Sequence, residues 1–488
     1  MLSLLSRLSA EPAPLDWFVQ KAWHPWMIVG IVSTGAFIGQ FDATVVQLAL
    51  PSLGHHFGIS IHHVSLVALA YLVAFVAFLP VFGRLCEMYG RKMLYIVGYL
   101  IFILASAACG FATDFWELVI LRFLQGVGGA LLGANSMSIL VHTVSLDQRA
   151  RALGWFAAAQ AAGMSLGPVL GGVLIQNLGW QWIFWFVVPL GSLGMGAGWL
   201  ALPRTADASV DHTFDWLGAA LMSPALMLIV AVLSHASASH FNLLLNLGMA
   251  AVAILLLVLL VRHERKVRAP IIDPALFESA AFCGAALGTM LAYAQLTAIF
   301  FLMAFAQSRG FGETPLVSGV HLAVLALAIG LSAPLSSAVR EWLGRERISL
   351  AAMALTLAGV LLLFATLGRV EKHWLMDGMA FVLVGAGLGL FIAPNNDIAL
   401  AAAPPGLAGA AGALLNLVRV LGASLGVAGG AAILSLNLHE LNLDGHIRFA
   451  RGADMIQAVR DCMPALALVV LCGGLLARFS AHRISVAR

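Results

Sequence analysis

Charge is what this chain has least of. Only 10% of its 488 residues are Asp, Glu, Lys or Arg, while 61% are hydrophobic. A soluble chain of this length carries roughly a quarter charged residues. So little charge cannot cover a water-facing surface, and lipid must be the main solvent. The net charge of +3 comes with no basic cluster on a folded soluble domain, so nucleic acid is not an expected partner. Cysteine is also scarce: Cys86, Cys109, Cys283, Cys462 and Cys472 show no CxxC or CxxH spacing, which argues against metal or redox chemistry. There is no phosphate-cradling GxxxxGKS/T loop, so ATP is not the expected energy source. HExxH and paired intramembrane acids are missing too, which argues against a membrane-embedded enzyme and for the absence of a cofactor. The first 21 residues contain Pro12 and Pro14 and no unbroken apolar core before a cleavage site, so they read as a cytosolic lead-in, not a signal peptide.

What the chain does have is long apolar runs. A helix needs about 20 predominantly apolar residues to cross a bilayer. Such runs fall near 26–50, 64–83, 93–112, 116–140, 154–176, 182–202, 215–235, 241–261, 280–306, 316–338, 348–368, 376–399, 407–436 and 463–481, which makes fourteen. Many of the 49 glycines lie inside these runs, where small residues let helices approach closely. With the N-terminus inside, 18 of the 26 Lys and Arg fall in cytoplasmic segments, six outside, and Arg122 and Arg419 within spans. That bias places both termini in the cytosol and the chain in the inner, or plasma, membrane.

An intramembrane charge is costly and therefore usually functional. Asp42 lies in span 1 about eight residues before Pro51, and Arg122 about six residues into span 4. At 1.5 Å per residue both sit roughly 10 Å below the outer surface. A carboxylate that gains and loses a cationic neighbour changes its proton affinity, which is what proton coupling requires. A permanent Asp–Arg bridge that only holds helices together is the competing reading. Arg419, flanked by Asn416 and Gly422 near the middle of span 13, either bonds backbone carbonyls or faces a central cavity. Gln47, Gln125, Asn135, Gln160, Tyr293, Gln295, Asn395 and Asn396 are further polar groups within spans, candidates for lining a cavity or for bonding between helices. His321 titrates near neutrality but, standing alone, reads first as a packing residue. His55, His56, His62 and His63 cluster in the first outside loop, without the Cys, Asp or Glu that would complete a zinc site.

Three strings then resemble the major facilitator superfamily. Gly83-Arg84-Leu85-Cys86-Glu87-Met88-Tyr89-Gly90-Arg91-Lys92 is similar to its G-x-L-x-D-R-x-G-R-R/K turn, with Glu87 where Asp is usual and Met88 where a basic residue is usual. Span 4 carries Leu118-x-x-x-Arg122-x-x-Gln125-Gly126, which resembles the motif whose Arg is associated with proton coupling. Gly163-x-x-x-Gly167-Pro168-x-x-Gly171-Gly172 in span 5 resembles the motif typical of its antiporters, and glycines so spaced give a narrow helix that packs tightly and bends.

Other segments resemble the fourteen-span drug:proton antiporter family in particular. These are Phe41-Asp42-Ala43-Thr44-Val45-Val46-Gln47 through Pro51, Trp180-Gln181-Trp182-Ile183-Phe184, Pro270-Ile271-Ile272-Asp273 through Phe277, and Asn416-x-x-Arg419-x-x-Gly422. The resemblance implies an all-α major facilitator fold: a lead-in at 1–25, a six-helix bundle at 26–202, an inserted hairpin at 203–262, a second bundle at 263–482 and a cytoplasmic tail at 483–488. It also implies multidrug efflux, with alternating access, Asp42 and Arg122 at the proton-coupling positions, and a small molecule, protons and the bilayer as partners of a monomer; it does not specify a periplasmic adaptor. Few other acids lie within spans, since Asp114, Asp215 and Asp397 fall near span ends, which points toward neutral, anionic or amphiphilic substrates. A dedicated exporter of one metabolite, lipid or siderophore, and a non-transporting sensor or assembly protein on the same fold, are the alternatives.

Overall fold

Fourteen helices long and apolar enough to cross a membrane follow one another among the described residues, which are 11–205, 214–235, 242–267, 270–368, 374–440 and 452–486 of this computed structural model. They are α1 (His24–Phe57), α2 (Ile61–Tyr89), α3 (Arg91–Cys109), α4 (Phe115–Thr143), α5 (Arg149–Leu178), α6 (Trp182–Ala201), α7 (Trp216–His235), α8 (Leu243–Glu264), α9 (Ala280–Gly310), α10 (Pro315–Ser332), α11 (Arg347–Thr366), α12 (Trp374–Ala402), α13 (Ala408–His439) and α14 (Gly452–Arg483). Of the cations counted for orientation, Arg7, Arg268, Arg369, Lys372, Arg448, Arg451 and Arg488 lie outside the described residues.

Local chemistry fixes where the helices start and stop. Asp114 accepts the Trp116 N–H at 2.8 Å to open α4, and Ser279 and Thr314 cap α9 and α10 in the same way, Thr314 followed by Pro315 in the first turn. Gly58, with φ 65°, closes α1. Between α2 and α3 there is only Gly90, whose φ of 106° lets one helix run straight into the next.

Helices α1–α6 pack among themselves, and so do α9–α14. This gives two six-helix bundles. Helix α7 lies against α2 and α13, one from each bundle, while α8 packs chiefly on α7 and exposes most of its apolar surface to the lipid. The face carrying the Gly90 turn is called the near face below; the opposite face, carrying Pro51 and Pro315, is the far face.

Two features differ from the linear reading. Pro51 lies inside α1, which continues to Phe57, so Asp42 sits deeper along its helix than an end at Pro51 implies. His55 and His56 therefore belong to the last turn of α1, and His62 and His63 to the first turn of α2, not to an outside loop. The Gly83–Tyr89 half of the first motif is likewise not a turn but the near end of α2. Helix propagation costs little once begun, so apolar runs extend through polar ends until a residue such as Gly58 stops them.

The bundles meet across their far halves. The Leu316 N–H donates to Gln176 Oε1 at 3.3 Å, and Arg309 Nη2 donates to the Pro51 carbonyl at 3.1 Å. Gly319 stands so close to the Pro168 carbonyl that any side chain there would collide with it. Toward the near face the bundles part. A Cβ on Gly154 of α5, or on Gly409 or Gly412 of α13, would find no atom within 4 Å. Gly154 lies on the side of α5 that carries Ala161, the residue nearest Gly330 of α10, so its open space is the gap between the bundles. The structure is closed at the far face and open at the near face.

Candidate functional site

Asp42 is placed by the glycines of α5. Gly163 abuts the Phe37 carbonyl, Gly167 abuts Thr44, and Gly171 abuts Val45. This backbone-close seam holds one side of α1 and turns the side bearing Asp42 toward α4. There Arg122 meets it, with Nη1 donating to Oδ1 at 2.9 Å and to Oδ2 at 2.8 Å. The same nitrogen donates to Gln125 Oε1 at 2.6 Å, and Gln125 Nε2 donates to Asp42 Oδ1 at 3.0 Å, which closes a ring of three side chains. Asp42 and Arg122 are each 1% exposed. Arg122 Nε donates to the Val67 carbonyl at 3.2 Å, and its guanidinium lies 4.7 Å from the Tyr71 ring centre and 5.7 Å from that of Phe184. Both rings present their faces to the cation.

This arrangement is balanced only while Asp42 is ionised. A proton on Asp42 would cancel the negative charge and leave Arg122 buried without a counterion, which is among the most costly states a protein interior can hold. The α1–α4 contact therefore rests on this charge pair. Tyr71 and Phe184 were not marked as site residues by their spacing; an aromatic in an apolar span is indistinguishable from core until its neighbour is known.

The other polar candidates separate into groups. Asn135 is buried against Cys86 (2.8 Å) and the Leu131 carbonyl (3.0 Å) in the α2–α4 seam, away from the opening. Gln47 is buried in α1, its Oε1 unpartnered among the described residues, and Gln295 is buried in α9 with Nε2 in the same condition. Asn395 of α12 donates to the Ala285 carbonyl at 2.7 Å and to Thr289 Oγ1 at 2.9 Å, and that hydroxyl donates to Asn396 Oδ1 at 3.1 Å. Gln160, Tyr293, Asn396, Asn416 and Arg419 are half-buried. Arg419 lies 5.7 Å from the Tyr293 ring centre.

At the near face, Arg84 and Glu87 form an exposed ion pair at 3.0 Å, one turn apart on α2. Gly83 has open space around it. The N-terminus of α3 is held by a residue that no motif pointed to. Glu11 Oε1 accepts the backbone N–H of Lys92 at 3.0 Å, while the Arg91 N–H donates to Thr205 Oγ1 at 2.8 Å and Thr205 donates in turn to Glu11 Oε1 at 3.1 Å. An acid at a helix N-terminus is favoured by the dipole and fills the orphan donors.

The family model described as "Major Facilitator Superfamily" matches residues 32–427, from α1 to the middle of α13. The chain belongs to the major facilitator superfamily. Among relatives, this superfamily member is 30% identical over 410 residues to the tetracenomycin C resistance and export protein of Streptomyces glaucescens, covering 83% of this chain and 75% of that protein. It is 28% identical over 407 residues to the riboflavin transporter RibZ of Clostridioides difficile (strain 630), covering 83% and 87%. Its fold matches the in meso crystal structure of the POT family transporter PepTSo with a TM-score of 0.68 at 13% identity, over 94% of this chain and 99% of that one. The superfamily's two-bundle fold is thus shared across very different sequences.

Proposed function

We propose that this superfamily member exports small amphiphilic compounds in exchange for protons, by alternating access. The observation that carries the reading is the closed ring of Asp42, Arg122 and Gln125, a buried carboxylate whose counterion sits on another helix of the same bundle. The near face is taken as cytosolic, with both termini there, in keeping with the 18-to-6 distribution of Lys and Arg. The membrane is the inner, or plasma, membrane. In the near-open state a compound enters from the cytosol while Asp42 is ionised and held by Arg122. Closure of the near face and separation of the α5–α10 seam then open the path outward. A proton from outside neutralises Asp42, Arg122 loses its counterion, and the return to the near-open state releases the proton inside.

Relatives named for tetracenomycin C export and for riboflavin transport support movement of small organic molecules, with multidrug export and export of one dedicated compound as the two forms of the reading. The test is substrate-driven proton flux in proteoliposomes carrying an interior pH dye, wild type against Asp42→Asn. Flux that disappears in the variant is the expected result. Equal flux in both would move coupling to another group, and no flux with any of a broad set of compounds would favour a non-transporting role.

A further inference from the structure

The charge inventory of the cleft is unequal. Asp42 is fully used by Arg122. Arg419 of α13 makes no ion pair with an acid among the described residues, and its guanidinium lies 5.7 Å from the ring centre of Tyr293. The side chain is half-buried, and none of its nitrogens is sealed from solvent. A cation left at this depth without an anion is expensive. A packing role alone would be served at lower cost by an uncharged residue.

The surroundings put this cation in the path. On α13, Gly409, Gly412, Ala413, Asn416 and Arg419 recur at helical spacing, forming one stripe from the near end inward. Gly409 and Gly412 face open space, so the stripe is a small-residue wall leading to Arg419. One turn beyond, Gly422 presses on the Met290 carbonyl, and Thr297 Oγ1 donates to the Ala423 carbonyl at 2.9 Å, so α13 is fastened to α9 just behind the guanidinium. Helix α13 also packs on α2, in the other bundle. The cation therefore stands on a helix that touches both bundles, beside a rigid seam, with its donors open to solvent.

We infer that Arg419 is the specificity-determining residue of the cleft and that the protein selects compounds bearing a carboxylate or similar anionic group, the aromatic or aliphatic body lying along the Gly409–Ala413 wall. This rests on the reading of the cleft as the substrate path. The guanidinium fork matches a carboxylate geometrically, which an ammonium does not.

The test is equilibrium binding to the full-length protein in detergent, read by dye anisotropy with no proton gradient present. Rhodamine B and its ethyl ester share one ring system and differ by a single carboxylate. The acid is expected to bind wild type about tenfold more tightly than the ester, a modest figure because the site is partly open to water. In Arg419→Gln the ratio should fall to about one through loss of acid binding alone, and Arg419→Lys should keep part of it. An absence of preference for the acid in wild type, whether both dyes bind equally or neither binds, overturns the inference, as does an equal loss of both dyes in Arg419→Gln. Loss of proton coupling in vesicles would instead defeat antiport and leave this ratio untouched.

Discussion

Gly172 of α5 and Pro315 of α10 leave no room for a side chain between them: a Cβ on Gly172 would stand 2.5 Å from the Pro315 carbonyl oxygen. The obstacle is backbone, which cannot swing aside as a side-chain tip can. With Gly319 against Pro168 it makes the far closure a contact of main chain on main chain, in which glycine on one helix fits the carbonyl of the other.

Gly172→Val should therefore exclude the far-closed state while leaving each bundle folded. A cysteine placed at Asn416 would become reachable by a membrane-impermeant thiol reagent from the far side, and transport would stop. Unchanged accessibility would show that the seam is not the far gate.

Asp42→Asn keeps the shape of the carboxyl but leaves Arg122 buried without its counterion. The loss in stability is expected to be about 3–5 kcal/mol, read as a lower midpoint of thermal unfolding in detergent. Asp42→Asn combined with Arg122→Gln should recover most of it, because the orphaned charge is gone, while proton flux stays abolished. A double variant no more stable than the single one would mean that the pair is not the dominant contact.

Arg122→Lys preserves charge and loses geometry. A lysine cannot reach Asp42, Gln125 and the Val67 carbonyl together, so substrate-driven flux should drop by an order of magnitude or more, with expression and membrane insertion intact. Wild-type flux in this variant would reduce the role of Arg122 to charge alone.

Glu11→Gln tests the clasp at the near face. It replaces an acid at the N-terminus of α3 by a neutral acceptor, and a cost of about 0.5–2 kcal/mol follows from the capping rule. Glu87→Gln, by contrast, breaks only an exposed pair and should cost at most about 1 kcal/mol. Side-by-side melting curves that rank the two the other way would assign the structural acid of this face to Glu87.

Much of the molecule was legible in its sequence because bilayer physics leaves few choices. A run of apolar residues that must satisfy every backbone donor becomes a helix, and fourteen such runs became fourteen helices. Asp42 and Arg122 stood out for the same reason: in lipid, a charge without a purpose is too costly to keep. Helix ends were less legible, since α1 runs through Pro51 and absorbs His55 and His56 on helical propagation that composition does not reveal. Glu11 gave no sign at all, being one acid in a polar lead-in until Lys92 and Thr205 of distant segments were brought to it. The polar cavity candidates looked alike in one dimension. Tertiary structure alone separated Asn135, sealed against Cys86, from Asn416 at the gap, because whether a polar group bonds a neighbouring helix or faces the opening depends on which side of its helix the partner lies, and that is set by packing. What the sequence determined by itself was the solvent, the spans and the charges that lipid would not tolerate. Which of those charges are paired, as Asp42 is, and which stand without an acid among the described residues, as Arg419 does, was decided only by the close approach of helices far apart in the chain.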